Sequence, residues 1–86
     1  MRVRRATFRA VPTILREKGY RIGFYSAEPN EPPHVHVKKG GCEAKFWLSP
    51  VQLAWSFGLS EHELWEIVRI LETNQLMLLE AWNNAD

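Results

Sequence analysis

Pro32-Pro33-His34-Val35-His36-Val37-Lys38-Lys39 carries the clearest structural signal in the chain. Two consecutive prolines cannot continue a hydrogen-bonded ladder, so they fix where a strand begins. Side chains alternate along a strand, so Val35 and Val37 face one way and His34, His36 and Lys38 the other. The valine side predicts a buried face. The other side predicts an open face on which two imidazoles and an ammonium stand in a row.

Working outward, Gly40-Gly41 supplies a tight hairpin turn, and the next strand is Cys42–Leu48. There Cys42, Ala44, Phe46 and Leu48 share an apolar face, with Glu43, Lys45 and Trp47 opposite. Upstream, Thr13–Glu17 and residues 21–26 read as two strands joined through Lys18-Gly19. Residues 27–33 hold three prolines, Asn30 and two glutamates, the composition of a loop. Beyond Ser49-Pro50, residues 51–55 fit a fifth short strand or one helical turn; periodicity alone does not separate them, and a strand is adopted here.

The helix that follows has a defined start. Ser60 and Glu63 form a capping box, and Leu64, Ile67, Val68, Leu71, Gln75, Leu78 and Trp82 keep helical spacing to about Asn83. Trp65, Ile70, Leu76, Met77 and Leu79 fall on flanking faces. The expected fold class is therefore α+β: a small antiparallel sheet of four to five strands, one face covered by a long C-terminal helix. The expected core is Ile14, Ile22, Phe24, Val35, Val37, Ala44, Phe46, Leu48, Leu64, Val68, Leu71 and Leu78. An exposed remainder of that apolar surface would mark a homodimer or partner contact; plain core is the commoner reading of such residues at helical spacing.

Eighty-six residues allow one domain, expected over residues 12–86 after a basic arm at 1–11. One cysteine, Cys42, rules out an internal disulfide framework and suits a reducing compartment. No apolar run reaches the length of a membrane span, so a cytoplasmic protein without membrane attachment is expected. The net charge of +1 hides an asymmetry. Seven basic residues stand against one acid through Arg21, and six acids against Arg69 from Ser60 onward. The basic end suits phosphate or an acidic protein; a solvated tail beside an acidic helix is the plainer alternative.

The expected open face carries Tyr25, His34, His36, Lys38, Glu43, Lys45 and Trp47. His34 and His36 lie about 7 Å apart on it. A His-x-His pair could begin a metal site, but a third ligand is missing, because Cys42 points inward and His62 belongs to the helix. No metal and no cofactor is therefore expected. Acid–base work is open to the pair, with Lys38 or Lys45 holding a phosphate and Tyr25 or Trp47 stacking on a base. The same residues could instead bind RNA, DNA or a protein partner without chemistry.

Pro12-Thr13-Ile14, Phe24-Tyr25-Ser26, the Pro32–Val37 run, Glu43-Ala44-Lys45 with Trp47-Leu48, Gly58-Leu59-Ser60 with Glu63-Leu64, and Ala81-Trp82 occur in this order. In these segments the chain resembles a family of small bacterial proteins, the domain-of-unknown-function family numbered four thousand one hundred and sixty. Members typically begin near the Pro-Thr-Ile segment, so the arginine-rich start departs from the pattern. The resemblance implies a bacterial, cytoplasmic protein encoded beside a second small protein, in an arrangement like a toxin–antitoxin module. It implies no catalytic residues. Two functions follow: a component of such a module, binding nucleic acid or its partner through Tyr25, Lys38, Lys45 and Trp47, or a metal-independent nuclease or phosphoesterase using His34 and His36.

Overall fold

The computed structural model describes residues 13–24 and 30–84. The order of elements is β1 (Thr13–Glu17), β2 (Tyr20–Gly23), β3 (His34–Lys39), β4 (Cys42–Leu48), β5 (Val51–Phe57), α1 (Glu61–Thr73) and α2 (Gln75–Asn84). The strands form one antiparallel meander in chain order, with β1 and β5 at its edges. The α+β class is as expected, and the Lys18-Gly19 turn takes positive φ at both residues, as a two-residue hairpin turn requires. The proposed basic arm at 1–11 and Tyr25 lie outside the described residues.

One sheet face is sealed by the helices. Ile22, Val35, Val37, Ala44, Phe46 and Leu48 are fully buried against Ile67, Leu71 and Leu78. Ile14, Leu64 and Val68, expected in the core, pack at its margin and are only partly buried. Three further residues join it, Ile67 on the helical stripe among them. Ile70, assigned by spacing to a flanking face, is buried in the core cluster. Tyr20 is fully buried at the start of β2, its hydroxyl donating to Glu66 Oε1 at 2.8 Å, with Lys39 Nζ 4.9 Å from the ring centroid. Burial first, then the Glu66 carboxylate, pushes the Tyr20 phenol well above its ordinary pKa.

The expected single long helix is two. Asn74 interrupts it with a non-helical conformation, and its Nδ2 donates to the Ile70 carbonyl at 2.8 Å. An asparagine side chain that bonds the preceding turn competes with the backbone ladder, so the chain turns here. Gln75, the polar interruption in the helical stripe, donates from Nε2 to the Leu48 carbonyl at 2.6 Å and ties α2 to the end of β4. At the other end the capping box is complete: Glu63 N–H donates to Ser60 Oγ at 3.1 Å and Ser60 N–H to Glu63 Oε1 at 2.8 Å. No helix among the described residues is long and apolar enough to cross a membrane.

Candidate functional site

Strand register builds the uncovered face row by row, because directly opposed residues in a ladder share a side. Arg16, Arg21, Lys38, Glu43 and Phe57 form one row across all five strands. Gly23, His36, Lys45 and Trp55 form the next, and His34, Trp47 and Gln52 the third. Gly23 brings no side chain beside His36, which leaves room for the imidazole.

The alternation that placed the two histidines opposite the valines is correct; their expected exposure is not. His34 is 0% and His36 6% exposed. His34 lies against Trp82 of α2 at 4.9 Å, His36 at 5.4 Å and Trp47 at 5.8 Å, centroid to centroid. Trp82 also meets Phe24 edge-on at 5.2 Å, so the end of α2 closes over this end of the sheet. Segment 30–33 returns across it. His34 Nδ1 lies 3.0 Å from the Pro32 carbonyl and 3.5 Å from Glu31 Oε1. Both partners only accept, so Nδ1 carries the hydrogen. By the same argument His36 Nδ1–H donates to Glu43 Oε2 at 3.2 Å.

Lys45 is drawn into this network. Its ammonium donates to Glu31 Oε1 at 2.6 Å and stands 4.8 Å from the Trp47 ring centroid. That hydrogen bond is the main reason the Glu31 carboxyl lies below the usual carboxylate range, with the Lys45, His34 and His36 charges adding to it. Lys45 and Trp47, expected as open contacts, are half-buried members of a polar cluster beneath 30–33. Lys38 is half-buried in the basic row. Among the described residues no group of three histidine, cysteine, aspartate or glutamate side chains converges on a metal position.

The face nonetheless exposes aromatic surface that strand alternation misses. A bulge lies between Lys45/Phe46 and their partners: Trp55 opposes Lys45 but Leu53 opposes Phe46, leaving Ala54 as the extra residue. Counting alternately from Val51 would put Trp55 and Phe57 on the helix side. The bulge turns both onto the uncovered face, where they are 43% and 69% exposed, while Leu53 stays on the helix side at 41%. Shallow grooves lie away from the histidines, one along Arg16–Arg21 at the β1–β2 hairpin and one between Glu17, Lys18, Glu66, Arg69, Ile70 and Thr73.

The chain matches the family described as Domain of unknown function (DUF4160) over residues 19–83, from the first hairpin turn almost to the end of α2. No curated protein and no solved structure matches it.

Proposed function

The chain belongs to the DUF4160 domain-of-unknown-function family, and from that premise we propose that it is the binding component of a two-protein, toxin–antitoxin-like module in the bacterial cytoplasm. It engages the small protein encoded beside it through the β5 edge. The observation that carries this reading is β5 itself: Val51–Phe57 is a seven-residue edge strand with no charge and no proline, and Leu53, Trp55 and Phe57 are exposed along it. A long apolar edge is a template for another chain, and proteins that work alone blunt such edges with charge or proline. Aromatic side chains beside unpaired backbone favour a protein partner at this edge over a polyanion. Trp65, Leu76 and Met77 expose further apolar surface on the helices, where a second copy could pack.

The alternative, a metal-independent nuclease or phosphoesterase with His34 and His36 as acid and base, has one feature in its favour. The Glu43 carboxylate orients His36 as a carboxylate orients a general base. Burial of both rings, His34 completely, counts against it, since a substrate must reach the imidazole.

Co-expression of the chain with its neighbour-encoded protein, followed by size-exclusion chromatography, tests the reading. The wild-type pair is expected to co-elute, and Leu53→Glu and Trp55→Glu to separate it while the free chain keeps its circular dichroism spectrum. No complex with the wild type, or a complex indifferent to both substitutions, sinks the β5 assignment. Growth arrest on expression that vanishes in the His34→Ala/His36→Ala pair, with both variants folded, would transfer the function to the enzyme reading.

A further inference from the structure

Arg16, Arg21 and Lys38 oppose one another directly across β1, β2 and β3, in two successive like-charge pairs. Opposed side chains in an antiparallel ladder have Cβ atoms about 5 Å apart, and like charges at that distance repel. A sheet with no use for this row would alternate its charges. The acid in register is Glu43, next along from Lys38. No salt bridge among the described residues involves Arg16 or Arg21, and both are exposed. The groove along Arg16–Arg21 adjoins them and adds Glu17 and Lys18, the latter 3.9 Å from Glu66.

The row ends in Phe57, the most exposed of the described aromatic side chains on this face, with Trp55 beside it in the next row. In sequence, Arg2, Arg4, Arg5 and Arg9 directly precede β1, the strand that carries Arg16. Three cations spaced across roughly 10 Å of sheet, from the interstrand spacing, with an open aromatic ring two strands further on past Glu43, fit a phosphate backbone with unstacked bases. They do not fit one compact anion, which would need donors converging on a single point.

We infer that the Arg16–Arg21–Lys38 row binds the phosphodiester backbone of a single-stranded nucleic acid, with Phe57 stacking on a base. The three cations lie on β1 to β3, away from the β5 edge assigned to the protein partner, while Phe57 belongs to both surfaces. The arginine substitutions therefore read this inference apart from that assignment. Arg16 lies outside the residues matched by the family, whereas Arg21, Lys38 and Phe57 lie within them.

Fluorescence anisotropy with a labelled single-stranded RNA across a range of potassium chloride concentrations reads this directly. For the wild type, log affinity is expected to fall linearly with log salt. Arg16→Ala/Arg21→Ala should flatten that slope by about 1.4, at about 0.7 per phosphate contact on a single strand. Arg16→Lys/Arg21→Lys should retain the slope, and Phe57→Ala should weaken binding several-fold without altering it. Duplex DNA of equal length should bind more weakly, having no free base to stack. A folded wild type that ignores RNA, a double-alanine variant with an unchanged slope, or equal binding of a polyglutamate peptide would overturn the inference.

Discussion

His34 is where burial and hydrogen bonding together decide what a substitution does. Its ring fills space between Trp47, Trp82 and His36, and its Nδ1–H serves the Pro32 carbonyl. His34→Ala removes both at once, leaving a void and an unserved carbonyl, so stability should fall by about 2–3 kcal/mol in urea melts. A melt unchanged by the substitution would show the ring to be idle in the fold. What the sequence conveyed about this residue was its side of the sheet, because a period of two needs no tertiary information. What it could not convey was the cover: Trp82 is far along the chain, and segment 30–33 folds over through the Glu31–Lys45 contact. Trp55 and Phe57 were lost to reading for a different reason. A bulge at Ala54 reverses their side, and nothing in Val51–Phe57 announces an extra residue.

Among elements, β1, β3 and β4 end where their flanking prolines, glycines and turn residues imply, since those residues act locally on φ and on the ladder. The helix break was not legible, because Asn74 is compatible with a helix interior until its side chain takes the Ile70 carbonyl. Gln75→Ala should cost about 1–3 kcal/mol by chemical denaturation, since the Leu48 carbonyl loses its donor in a half-buried place. The β5–α1 junction offers a sharper test. Gly58 has φ +84, and a Cβ added there would come within 2.7 Å of Cys42 Sγ. Gly58→Ala therefore suffers left-handed backbone strain of about 1 kcal/mol plus overlap with the thiol. In a double-mutant cycle with Cys42→Ala the overlap should lift and the backbone strain remain. Strictly additive effects would mean that the thiol yields without cost.

At the scale of the whole molecule, carboxylates join its layers. Glu63 links α1 to β3 through Lys39 at 3.3 Å, and Glu31 links segment 30–33 to β4 through Lys45. Both carboxyls are held below the ordinary value of 4.5, Glu63 chiefly by the Ser60 backbone N–H and then by Lys39, Glu31 chiefly by its hydrogen bond from Lys45. A carboxylate with a depressed folded pKa stabilises the fold above its unfolded pKa, and that stability drains away as protons reach it. The melting temperature should thus hold steady from neutrality down to about pH 5 and decline through about pH 4.5 and below. The two variants that remove one lysine each should not respond alike. Lys45→Met takes away the main cause at Glu31 and should flatten the acid limb. Lys39→Met leaves the Ser60 N–H on Glu63 and should change the limb far less. Circular dichroism melts of both variants across this range decide the matter. Acid limbs superimposable on the wild type in both would mean that neither ion pair holds the layers together, and that the sheet and helices cohere on apolar contact alone.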